Sequence, residues 1–210
     1  MNEDRTIPAN SAPGESLQTL EQNVAAMPDS ANAHYNLGVG LAHEVQWDRA
    51  IAEFRTALKL KPGLLEARVN MAGVLLQQGK FDECIEESLK ALQYRPDLIE
   101  ACINIGIAMV QKGMYEQAIQ SFQNALDINP RSIVAHINIA NAYLTLGDLE
   151  KSIEHNLQAL EIDPGFAMAH NNLAVGYFTK GDKDKARHHV QEASKLGYTV
   201  HPQFLSQLEA

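Results

Sequence analysis

The sequence predicts an all-α protein built as a solenoid of helical hairpins, and three observations carry that prediction. Asparagine recurs as Asn36, Asn70, Asn104, Asn138 and Asn172, each 34 residues after the last without gap or insertion. Alanine holds two more positions in the same phase: Ala33, Ala67, Ala101, Ala135 and Ala169, then Ala57, Ala91, Ala125, Ala159 and Ala193. Glycine and proline punctuate that period, at Gly79, Gly113, Gly147 and Gly181 and at Pro28, Pro62, Pro96, Pro130 and Pro164. A strict period of this size marks stacked supersecondary units, none of which can bury its apolar faces without neighbours.

Taken in order, residues 1–14 are acidic and rich in Pro and Ser, and are expected to form a disordered tail. They lack the basic n-region and apolar h-region of a signal peptide. Within 15–30, Leu17, Leu20 and Val24 are spaced like the second helix of an incomplete unit, so this segment is expected to cap the array. Five units follow over 31–200, at 31–64, 65–98, 99–132, 133–166 and 167–200. In each, a first helix should end on the glycine, where a left-handed stop is expected, and a second helix should run to the proline. The first turn carries Val45 in place of glycine. The small eighth residues (Gly38, Ala72, Gly106, Ala140, Ala174) let the helices approach closely. Larger apolar residues at helical spacing, such as Ile139, Tyr143, Ile153 and Leu160, supply the core. Over 201–210, Pro202 at a helix start followed by Phe204, Leu205 and Leu208 predicts a C-terminal capping helix.

Composition narrows the function. The net charge of −9 argues against nucleic acid and anionic membranes, both of which reward basic patches. No apolar run approaches the ~18 residues that span a bilayer, so a cytoplasmic protein without membrane insertion is expected. Cys84 and Cys102 form no disulfide framework or metal-type spacing and read as buried thiols. His34, His136 and His170 fall in the packing stripe and read as core residues, whereas His188, His189 and His201 cluster near the C-terminus, but adjacent histidines on a helix point about 100° apart, which disfavours a metal site. Phosphate loops and nucleophile motifs are missing, so no catalytic residue, cofactor or metal is expected.

The small, bulky, glycine, alanine and proline positions, repeated in phase, resemble the tetratricopeptide repeat over residues 31–197. The resemblance implies a right-handed α-α superhelix whose first helices line a concave groove. It departs locally: His34, Arg68, Cys102, His136 and His170 stand where the family usually has Trp, and the last second helix is polar.

Asparagine costs a helix roughly half a kcal/mol against alanine, so five in phase need a reason. On a wheel of about 100° per residue, His136, Ile139, Ala140 and Tyr143 form one stripe, and Val134, Asn138, Asn141 and Thr145 the opposite one. The asparagine stripe is thus expected to be the free face of the first helix, lining a groove poor in charge. A carboxamide can bond both C=O and N–H of an extended peptide. Asn36, Asn70, Asn104, Asn138, Asn172 and Asn141 are the expected peptide-binding row, with Tyr35, Val69, Ile103, Ile137, Gln77 and Gln111 beside it reading side chains. The row is similar to the asparagine ladder in the repeat half of O-linked N-acetylglucosamine transferases, which implies peptide binding. It implies no glycosyl transfer, since only residues 201–210 follow the last unit. Tyr35, Val69 and Ile103 stand where chaperone-tail clamps of the resembled family place cations, which disfavours that ligand.

A non-catalytic scaffold that binds a protein or peptide partner in its groove is therefore expected. The alternatives are a self-assembling structural protein, making a homo-oligomer, and an accessory subunit of a separately encoded enzyme.

Overall fold

The structure, a computed structural model, describes residues 15–209. The expected disordered tail, 1–14, lies outside the described residues. Among the described residues there are twelve α-helices and no strand. They fall into two compact units, divided after Lys112. The first holds α1 (Leu17–Ala26), α2 (Ala31–His43), α3 (Trp47–Leu60), α4 (Leu65–Gln77), α5 (Phe81–Tyr94) and α6 (Ile99–Gln111). The second holds α7 (Tyr115–Ile128), α8 (Ile133–Leu146), α9 (Leu149–Ile162), α10 (Ala167–Thr179), α11 (Lys183–Lys195) and α12 (Pro202–Glu209).

Within each unit successive helices pack on one another as antiparallel neighbours. The small residues set the spacing. A β-carbon on Gly38 would lie 2.7 Å from the ring of Phe54, which is fully buried. Ala57, Ala72, Ala91, Ala140, Ala159 and Ala174 are also fully buried. In the first unit Leu17, Leu20 and Val24 of α1 join the core around Val39, Leu41, Phe54 and Leu75. In the second, Leu208 of α12 is buried with Ala174, Val190 and Val200, and Phe204 meets Phe178 edge-on at 5.4 Å.

Each first helix stops on a left-handed residue, as the periodic glycines predict. The next amide then reaches back five residues, as from Asp148 to the Tyr143 carbonyl at 2.9 Å. Val45 adopts the same conformation (φ 60°), and Gln46 donates to the Leu41 carbonyl at 2.8 Å. A β-branched residue there crowds its own carbonyl at a cost of roughly 1–2 kcal/mol.

The fourth residue of the repeat works as a polar latch, beyond the core role expected of the histidines. His34 is 9% exposed; its Nε2 donates to the Pro28 carbonyl at 2.9 Å, and its Nδ1 meets Glu53 at 2.6 Å. Arg68 does the same with Pro62 (3.4 Å) and Glu87 (2.6 Å). In α8 and α10 the latch joins two histidines: His136 to Pro130 and His155, and His170 to Pro164 and His189, with Nδ1–Nδ1 distances of 3.1 and 3.0 Å. Each latch ties a first helix to the loop before it and to the second helix after it. Tyr143 stacks on His155 and Tyr177 on His189, and Lys151 and Lys185 sit over those tyrosine rings.

The latches titrate in opposite senses. Burial opposes the charge on His34, but its bonds to Glu53 and the Pro28 carbonyl outweigh burial and raise its pKa. Burial, aided by His136, lowers that of His155 against the pull of Glu154. Burial, with His170, His188 and Lys185, takes His189 to about 4 despite Glu192.

Two outcomes follow from this packing. Replacing Val45 by glycine should relieve the left-handed strain and raise stability by roughly 0.5–1.5 kcal/mol, less than the full strain because glycine also loosens the unfolded chain. A lower melting temperature for Val45→Gly would contradict it. For His189, a folded pKa below 6.5 means that the unfolded chain takes the proton first. Stability around α10 and α11 should therefore fall as pH drops from about 6.5 towards 4. The contribution of His34 is complete below about 6.5 and is lost only as pH rises through its raised value. Hydrogen exchange should show α10 and α11 losing protection on acidification while the His34 latch holds α2 and α3, and His189→Gln should flatten the effect.

Candidate functional site

The asparagines occupy equivalent places in their helices but different environments. Asn70 and Asn104 are each 3% exposed, which corrects the expectation of a uniformly solvent-lined row. Both are tied to the preceding first helix. Asn70 Nδ2 donates to the Tyr35 hydroxyl at 3.1 Å, and Asn104 Nδ2 donates to the Val69 carbonyl at 3.4 Å. Position five of each unit explains the burial. Val69 packs with Ala91, Leu98 and Ala101, and Ile137 with Ala159 and Ala169, so the side of the helix next to the asparagine faces the following unit's loop and first helix. Tyr35, Val69, Ile103 and Ile137 are 8%, 7%, 5% and 5% exposed. They pack largely into the core, so little of each side chain is open to solvent, less than a free reading face would present.

The other amides keep contact with solvent. Asn36 and Asn138 are half-buried, and Asn138 Nδ2 bonds the Val134 carbonyl of its own helix at 2.8 Å. Asn141 is exposed and accepts a bond from Asn172 Nδ2 at 3.0 Å, so α8 and α10 share a small amide pair. Gln77 and Gln111, at the C-terminal ends of α4 and α6, are exposed. Gln77, Gln111 and Asn36 thus offer accessible amides in the first unit, and Asn138, Asn141 and Asn172 in the second.

Nothing near these amides resembles an activated nucleophile. Burial pushes the Cys84 thiol up to about 12 and raises that of Cys102, so both stay protonated at neutral pH. The histidines of α11 are taken up in the latch of His189, with His188 edge-on to it. Among the described residues no helix is long and apolar enough to cross a membrane.

The two classes of asparagine should separate on mutation. Asn70→Ala and Asn104→Ala each remove a buried bond to the preceding helix and should lower stability by about 0.5–1.5 kcal/mol, less the helix preference of alanine. Asn138→Ala loses only a bond within its own helix and should be neutral or slightly stabilising. Denaturant melts of the three single variants check this; equal behaviour would refute the distinction.

Comparison with known proteins places the architecture. Models described as tetratricopeptide repeat match residues 13–64, 41–101 and 133–166, the last being the fourth 34-residue unit, and one described as TPR repeat matches 108–147. No curated protein sequence matches the chain. Among solved structures it is similar to PilF of Pseudomonas aeruginosa, with TM-score 0.77 and 21% identity over 91% of this chain and 87% of that one. It is also similar to MamA of Desulfovibrio magneticus RS-1, with TM-score 0.72 and 20% identity over 80% and 94% of the two chains. YrrB, described as a TPR protein with an unusual peptide-binding site, matches with TM-score 0.65 and 20% identity over 86% and 93%. At these identities the likeness speaks for the fold. With four repeat models matched and an all-helical chain in register with its 34-residue period, this is a tetratricopeptide repeat protein.

Proposed function

We propose that the chain is a non-catalytic scaffold that holds extended segments of partner proteins against the first-helix faces of its units. The observation that carries this reading is the set of accessible amides on those faces: Asn36, Gln77 and Gln111 in one unit, Asn138, Asn141 and Asn172 in the other. Amides bond a peptide backbone from either side without demanding a particular sequence. The description of YrrB as having a peptide-binding site supports the reading at the level of the fold. So does the likeness to the transferase ladder, now confined to the asparagines that reach solvent. Asn70 and Asn104 also fix the spacing of the helices that carry the others, through their bonds to the preceding first helix.

A random peptide library displayed on phage and selected against the full chain tests the proposal. Peptides selected on the second unit should lose affinity in the Asn141→Ala, Asn172→Ala double variant. Two amide contacts at about 0.5–1.5 kcal/mol each give a loss of roughly five- to 150-fold. The melting temperature should hardly change, since neither residue is buried. Selected peptides whose dissociation constants are indifferent to these residues would overturn the assignment of this face.

A further inference from the structure

One polar atom of the first unit is left without a partner, and its residue lines a cavity. Asn70 spends its Nδ2 on the Tyr35 hydroxyl, but its Oδ1 is buried and bonds nothing among the described residues. Tyr35 and Asn70 line a cavity of about 220 Å³ with apolar walls at Leu65, Val69 and Leu98. Its rim carries Glu66 and Glu100, equivalent residues of α4 and α6, and Arg95 from the loop between α5 and α6. Both carboxylates are exposed and neither joins an ion pair among the described residues. Arg95 is drawn 3.8 Å from the exposed Asp97. Asn104, one repeat on, meets a valine at the place of Tyr35 and turns its amide to a backbone carbonyl instead.

We propose that this cavity receives a cationic side chain, lysine or arginine, from the segment bound on the first-helix face; the inference rests on the scaffold reading above. A buried carbonyl oxygen can be satisfied only by a donor. The Tyr35 oxygen already accepts from Asn70, and burial together with the Glu66 carboxylate raises its pKa, which keeps it a neutral hydroxyl. Two carboxylates against one guanidinium leave the rim negative, as does the chain's net charge of −9. An anionic side chain would satisfy Arg95 but would face Glu66 and Glu100 and leave Asn70 Oδ1 unmet. Leu65, Val69 and Leu98 suit the alkyl stem of a long cationic residue, whose charged end then meets the acceptors. Glu66 and Glu100 sit in the first turns of α4 and α6, where they also complement the helix dipoles, and that role leaves them free to face a cation.

The test uses the isotope-labelled full chain and alanine heptapeptides, acetylated and amidated, with lysine, arginine, norleucine or glutamate at the centre. Titration is followed by NMR at the Asn70 side-chain amide and the Val69 backbone amide. The lysine and arginine peptides should shift both saturably, and norleucine and glutamate should bind several-fold more weakly. Glu66→Gln and Glu100→Gln, at exposed positions that the fold does not need, should each weaken the lysine peptide by about two- to fivefold. Equal affinity for norleucine, or a preference for glutamate, would overturn the cationic assignment. Shifts at Gln77 and Gln111 with Asn70 silent would refute the cavity and spare the scaffold reading. Silence at every first-helix residue would refute both.

Discussion

Each hairpin closes on residues too small to hold its helices apart, and the rest of the structure depends on that close approach. Gly38 lies against the Phe54 ring with no room for a β-carbon, and the periodic alanines are buried without exposure. Helices at this distance exchange van der Waals contact along their length, but a two-helix unit still exposes two apolar faces. Stacking is the only way to cover them, which is why α1 and α12 also carry apolar stripes turned towards their neighbours.

At the fourth place of the repeat, where the resembled family usually has Trp, four of the five units carry a polar latch. The side chains of His34, Arg68, His136 and His170 each capture a proline carbonyl from the preceding loop and a partner on the second helix. A buried polar group tolerates such a place only when its bonds are met, and here one ring or guanidinium meets two at once. The partner then sets the electrostatics. Glutamate helps to raise the pKa of His34, whereas burial beside a second histidine lowers that of His155 and His189, so latches at equivalent places respond to acid in opposite directions.

The same geometry divides the asparagines. Where the amide reaches the preceding first helix, as at Asn70 and Asn104, it becomes a buried cross-link between repeats. Where it does not, as at Asn141, the amide stays accessible. A residue type repeated for one apparent purpose thus serves two. At the cavity beside Asn70, Tyr35 takes one of the amide's donors and leaves its oxygen unbonded.

The sequence by itself determined the helical architecture, its period and its turns. Those rest on local rules: spacing of apolar residues, small residues at contacts, and glycine or its substitute Val45 at left-handed stops. They need no knowledge of what lies across a contact. Which asparagines face solvent was beyond such rules, because a helical wheel places a side chain on a face without saying how far a neighbouring helix covers it. The latches were half legible. His34, His136 and His170 read correctly as buried, but nothing in the local pattern marks Glu53, His155 and His189, each 19 residues on, as their partners. The constant separation of 19 residues is the one trace of the pairing in the sequence. Their bonding was decided by tertiary structure alone, since a hydrogen bond depends on distances of a few tenths of an ångström that sequence spacing does not resolve.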